Sequence, residues 1–192
     1  MSARPDGGGL YVGKLALLDA LAVSGLAHAE EVTICYNYGC HSRAQVSFSE
    51  GQLNGLNDLL AAAGDAAAER GAISIAIGRM YGIAGEQTPV WRDKGGNYAD
   101  GGENGQMDCI DHSTNTSSFL GLLQSHGWLR FHEVLEPILR TPFFFAVHWA
   151  ARIRDMGTQQ AYVVYSWYFD NGHPAAVIPA EQWLAGRNPD GA

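Results

Sequence analysis

The sequence predicts an α+β fold in which helices pack on an antiparallel β-sheet. Two stretches between residues 49 and 84, and a third from Cys109 to Gly127, carry apolar residues at helical spacing. After Gly127 come four consecutive strand-like runs separated by turn residues rather than helices, the pattern of an antiparallel sheet. With 192 residues, 46% of them hydrophobic, the chain is long enough to bury one core.

The first element does not belong to that core. "MSARPDGGGLYVGK", with Arg4 and Lys14, leads into the apolar "LALLDALAVSGLA" and then "AHA" before two glutamates. This is the layout of a secretory signal cleaved after Ala29, so residues 1–29 read as a signal and 30–192 as a single domain, secreted or periplasmic. Asp19 interrupts the apolar run, and Leu15, Leu18, Ala22 and Leu26 recur near a helical period, so an amphipathic helix packed on the domain is the other reading. The run is too short to span a bilayer, and no membrane insertion of the mature domain is expected.

"VTICYNYGCHSRAQVSFS" reads as one or two short strands around a glycine turn. Cys35 and Cys40 enclose that turn and can close a disulfide in an oxidising compartment; reduced thiols, or a metal site with His41, are the alternatives. "SEGQLNGLNDLLAAAG" starts a helix, with Ser49 and Gln52 at capping-box spacing, Leu53, Leu56 and Leu60 on one face, and Gly64 as the stop. A second helix is predicted over 65–84 from Ile73, Ile77, Tyr81 and Ala84, although Ile73, Ile75 and Ile77 also suit a strand. "GEQTPVWRDKGGNYADGGENGQ" is a long glycine-rich connection, of a length found in functional or mobile loops.

It ends at Cys109. Ile110, Thr114, Leu120 and Leu123 set a helix after Asp108, which places Cys109 in the first turn. Unpaired N–H groups and the positive end of the helix dipole favour a thiolate there, so a depressed thiol pKa is expected. The plainer readings are a small buried core residue, or a metal ligand with His112 at C-x-x-H spacing. The strand-like runs "WLRFHEVLE", "FFFAVHWAARIRD", "QQAYVVYSWYFDNG" and "HPAAVIP" are bounded by Pro137 and Pro142, "DMGT" and "DNG". Alternation in the second run puts His148 on one face with Ala146 and Ala150, where an imidazole has room. His41, His112, His126, His132 and His173 read as ordinary surface or hydrogen-bonded residues.

A thiolate at a helix start facing an imidazole on a sheet is what cysteine acyl transfer needs. "DCIDHSTNT" with Cys109, "FFFAVHWAARI" with His148 at an interval of 148 − 109 = 39 residues, and the following "AYVVYSW" resemble the core of the transglutaminase-like branch of the papain-like cysteine enzymes. The resemblance spans residues 105 to about 170 and lies in order and spacing. It implies a papain-like, transglutaminase-like core and a Cys-His-Asp triad, with Cys109 as nucleophile and His148 as base. The third place falls at Tyr165 where the family has an aspartate, and Asp170 in the "DNG" turn lies too far along to replace it. Exchange of Tyr165 for aspartate is therefore expected to raise the thiolate fraction of Cys109. Gln106, with the N–H of Cys109, is the candidate oxyanion donor.

The expectation is an exported cysteine-dependent acyl-transfer enzyme acting on a peptide or other acyl-group substrate, with no cofactor and no metal. A non-enzymatic binding protein on the same fold is the competing expectation, favoured by Tyr165. The net charge of −8, without a basic run, argues against nucleic acid and anionic membrane as partners.

Overall fold

The computed structural model describes residues 1, 29–96, 103–141 and 147–189. Residues 2–28, nearly all of the predicted signal, lie outside the described residues, as do Pro142 and Ala146. The order is β1 (Glu30–Tyr36), β2 (Ser42–Phe48), α1 (Glu50–Ala61), α2 (Ala66–Gln87), a 3-10 turn (Pro89–Arg92), α3 (Cys109–Ser125), β3 (His132–Arg140), β4 (His148–Asp155), β5 (Ala161–Tyr165), β6 (Ala176–Pro179) and α4 (Ala180–Leu184). The fold is α+β as predicted: β1 and β2 form one antiparallel hairpin, and β3-β4-β5-β6 form a separate antiparallel sheet in chain order.

Local chemistry accounts for most of these boundaries. Ser49 and Gln52 form the expected capping box, and Leu53, Leu56 and Leu60 are the buried face of α1. On α2, Ile73 and Ile77 are fully buried while Ile75 is 40% exposed, so the ambiguous isoleucines obey the helical period. The principal core joins Ile34 and Phe48 of the hairpin, Leu60, Met80, Phe119 and Leu120 of the helices, and Ala151, Ile153 and Val164 on one face of the large sheet. Alternation gives the opposite face a second cluster, with Ala150, Val163, Tyr165 and Trp167 packed on Trp183 of α4. Among the described residues no helix is long and apolar enough to cross a membrane.

Two features depart from the sequence reading. Pro137 does not end β3: the register slips between Leu135 and Ile138, so the proline sits in a bulge where its missing N–H breaks no ladder bond. The strand continues to Arg140, which lies directly across from His148. The helix α4, which the sequence reading missed, starts immediately after Pro179 and covers the second cluster with the fully buried Trp183.

Candidate functional site

The site is built around the start of α3. Asp108 is the N-cap: its carboxylate accepts from the N–H groups of Ile110 and Asp111, and the Asp111 carboxylate accepts in return from the N–H of Asp108. Such caps contribute about 1 kcal/mol each. Cys109 is therefore the first helical residue. Its half-buried thiol donates to the Val147 carbonyl at 3.6 Å and takes a hydrogen bond from the Trp149 N–H. These are the peptide groups on either side of His148.

His148 opens β4, is 6% exposed and shares its sheet face with Ala150 and Tyr165. Its Nδ1 lies 3.2 Å from the Tyr165 hydroxyl, so the tyrosine lies next to the imidazole. Tyr165 is itself buried, edge-on to Trp183 and Tyr168, and the Trp167 ring sits 5.3 Å from the imidazole. Gln106 is buried just before the helix, where its side-chain amide donates to the Arg92 carbonyl at 3.2 Å.

The electrostatics correct one expectation. Burial pushes the Cys109 thiol above its ordinary value; the Trp149 hydrogen bond pulls it down, but the charges of Asp108 and Asp111 reinforce the rise. The expected depression fails for a physical reason. A helix start is worth about 0.3–1 kcal/mol to a nearby negative charge, less than one pKa unit at 1.36 kcal/mol per unit. Here the first N–H groups already serve the Asp108 carboxylate. Asp111, pressed into the same corner, has its own carboxyl raised by burial to about 6. His148 is shifted down, by burial and then by the charge of Arg140, so the imidazolium is disfavoured. Neutral thiol and neutral imidazole are thus the resting forms.

Arg140 was not foreseen. It is 6% exposed and lies over the Trp183 ring at 4.4 Å, bonding to the Trp183 carbonyl at 2.6 Å, the Tyr168 hydroxyl at 3.1 Å and Asn188 at 3.0 Å. All of these acceptors are neutral. Nothing local in "ILRTP" announces the role; only the bulge at Pro137 sets Arg140 opposite the histidine.

Also missed was a buried chain one turn into α3. His112 takes Asp93 at 2.9 Å on Nε2 and Ser166 at 2.8 Å on Nδ1; Ser166 continues to Thr116 at 3.2 Å and Thr116 to Tyr81 at 3.1 Å. The connectivity is that of an Asp-His-Ser triad, but Ser166 is 5% exposed and shares its hydroxyl with Thr116. It ties α3 to α2, to the residue after β5 and to the loop after the 3-10 turn. Since both His112 nitrogens are occupied, the C-x-x-H metal reading is not supported. The other histidines are hydrogen-bonded as read: His132 with Glu69 at 2.7 Å, His126 with Glu30 at 2.8 Å, and His41 and His173 with the carbonyls of Tyr38 and Pro174.

On its outer side the helix start meets the β1–β2 loop, closed by the Cys35–Cys40 disulfide. Asn37, Tyr38, Gly39 and Cys40 all have φ between 60° and 67°. Left-handed geometry costs an L-residue roughly 1–2 kcal/mol, so something must hold this turn. Gly39 N–H donates to Asp108 at 3.0 Å and Cys40 N–H to Asp111 at 2.6 Å, while Asn115 bonds both N–H and carbonyl of Cys35 at 2.7 Å. Asn37 adds bonds to the Gln106 carbonyl and the Gly105 N–H, each at 2.8 Å. Gly105, at φ +103°, runs so close to the Pro89 carbonyl that no side chain fits there.

No protein-family model, curated protein or solved structure matches this chain.

Proposed function

We propose that the protein is an exported, cysteine-dependent acyl-transfer enzyme on a transglutaminase-like core, with Cys109 as nucleophile, His148 as base and Tyr165 as the residue that orients the imidazole. The observation that carries this reading is the Tyr165 hydroxyl on His148 Nδ1, with the Cys109 thiol held against the peptide groups flanking the same histidine. The disulfide supports export, because such bonds persist in oxidising compartments.

In the reaction Cys109 Sγ attacks the carbonyl carbon of an amide, ester or thioester as its proton passes to His148 Nε2. The base-competent tautomer keeps its proton on Nδ1, which donates to the Tyr165 oxygen. The carbonyl oxygen becomes an oxyanion, for which the Cys109 N–H is the candidate donor, the buried Gln106 amide being engaged with the Arg92 carbonyl. Collapse forms the thioester, and the leaving group departs with the proton from His148. Water or an amine then attacks the thioester, with His148 again taking the proton, and the thiol is restored. Because thiol and imidazole rest neutral, deprotonation accompanies attack instead of preceding it.

The test is intact mass after treatment with activated esters. One acyl group should appear on Cys109, absent in Cys109→Ala and formed at least about 10³-fold more slowly in folded His148→Ala. The raised thiol pKa and the missing carboxylate favour a second reading, a binding protein that keeps the fold without turnover. No adduct in the wild type, with His148→Ala indistinguishable from it, selects that reading.

A further inference from the structure

The disulfide loop does more than close a hairpin. Three of its N–H groups reach across to the start of α3 and the segment just before it: Asn37 to Gln106, Gly39 to Asp108 and Cys40 to Asp111. The sulfurs of Cys35 and Cys40 and a carboxylate oxygen of Asp111 lie within 4.8 Å of one another. The left-handed run at residues 37–40 carries the N–H groups of Gly39 and Cys40 to these carboxylates, and three of its four residues are not glycine. Such a run relaxes when its constraint is removed. The two ends of the constraint differ in access, with Cys35 wholly buried and Cys40 half-buried.

We propose that the Cys35–Cys40 disulfide is a redox latch on the start of α3, fixing the turn that carries Cys109 while oxidised and releasing it when a dithiol reductant opens the bond. A reductant thiolate attacks Sγ of Cys40, the less buried of the two residues, and the S–S bond breaks with Cys35 leaving as thiolate. The second thiol of the reductant then displaces Cys40. The reductant departs as its own disulfide, two electrons have passed to the protein, and Cys35 and Cys40 each end as a thiol with one proton. Cys35 stays tied to Asn115, whereas residues 37–40 leave the left-handed region and withdraw their N–H groups from Asp108 and Asp111. The turn around Cys109 then keeps its capping bonds and the ties of Met107 and His112 to Asp93, but loses those from the loop.

The effect on acyl transfer rests on the role proposed for Cys109; the latch does not, and the test separates them. Amide hydrogen exchange is followed by mass spectrometry in the oxidised protein, in protein reduced with dithiothreitol, and in Cys35→Ser/Cys40→Ser, with a chelator present so that the freed thiols hold no metal. Exchange over residues 105–112 should quicken at least tenfold on reduction and in the double variant, with β4 and β5 unchanged. Reoxidation of the wild type should restore protection, which keeps the test sound should the double variant not fold. Equal exchange in both redox states overturns the latch. So does loss of protection throughout the chain, because the disulfide would then support the whole fold. Opening of the helix start with no ester turnover in either state leaves the latch standing and removes the proposed function.

Discussion

Two buried histidines on neighbouring elements invite opposite readings from their connectivity and from their surroundings. His112 has the partners of a hydrolytic triad, a carboxylate on one nitrogen and a serine on the other, yet the serine is buried and its hydroxyl is shared. His148 has a phenol on Nδ1 and a cation across from it on the neighbouring strand, yet the thiol beside its backbone is half-exposed. Connectivity identifies a well-satisfied polar group. Chemistry also needs a nucleophile that a substrate can reach, and this criterion separates the two sites.

The contrast is broken most severely at Asp93, which is fully buried and holds both the His112 ring and, at 2.8 Å, the Met107 N–H. Asp93→Ala leaves both groups buried without this acceptor, and each buried polar group left unsatisfied costs about 1–3 kcal/mol. Urea unfolding should show that loss. Ser166→Ala removes a single hydroxyl and should cost about 1 kcal/mol, with acylation of Cys109 intact. A Ser166→Ala protein that is folded but can no longer be acylated would reverse the assignment of structural and chemical histidine.

How much of this contrast could be read from sequence depended on distance along the chain. Within a few residues, chemistry is explicit: Ser49 with Gln52 starts α1, Asp108 starts α3, and alternation puts His148 and Ala150 on one face. An antiparallel sheet of four late strands was legible too, and the Cys35–Cys40 bond was one of the readings that their spacing allowed. Asp93 with His112 and Ser166, or Arg140 with His148, depends on pairings that only the assembled fold creates. Pro137 shows the same limit, because a proline reads as a stop until a partner strand allows a bulge. With Tyr165 placed beside His148, the side-chain lengths now argue against the gain expected from aspartate at 165. The phenol reaches Nδ1 across the length of its ring, so an aspartate ends short of the histidine and opens a cavity among Tyr168, Trp167 and Trp183.

The pH dependence sharpens the comparison with an effect of about tenfold per pH unit, the consequence of a thiol that rests protonated. With Cys109 held above its ordinary value, alkylation by iodoacetamide should climb continuously from about pH 6 and still be rising past about 8.5. The sign for His148 is opposite. Its pKa is lowered, so it stays a neutral base down to below about pH 6.5 and is lost only as it gains a proton there. Acyl transfer should therefore fall on an acid limb below that value, while alkylation shows no matching plateau. A plateau of fast alkylation below about pH 7 would mean a preformed thiolate–imidazolium pair and contradict the neutral resting state.

The smallest effect isolates the bond that distinguishes His148 from His112. Tyr165→Phe keeps the ring against Trp183 at 5.6 Å and Tyr168 at 5.1 Å, so packing is retained and only the hydroxyl is lost. In the base-competent tautomer that hydroxyl accepts from Nδ1–H, fixing the ring with Nε2 directed to the proton it must take. One neutral hydrogen bond contributes about 0.5–1.5 kcal/mol, which predicts a three- to tenfold slower acylation of Cys109 and a comparably small stability change. The loss should appear in the maximal rate rather than in substrate affinity, because Tyr165 is 1% exposed and is closed off from solvent. Its neutral character also limits the loss: a carboxylate partner would be worth far more to an imidazolium, as much as roughly 10⁴ in turnover. Single-turnover acylation measured against ester concentration, for wild type and Tyr165→Phe, reads both quantities. An unchanged maximal rate would leave the Tyr165–His148 bond structural, with the imidazole oriented by other contacts, among them the Trp167 ring.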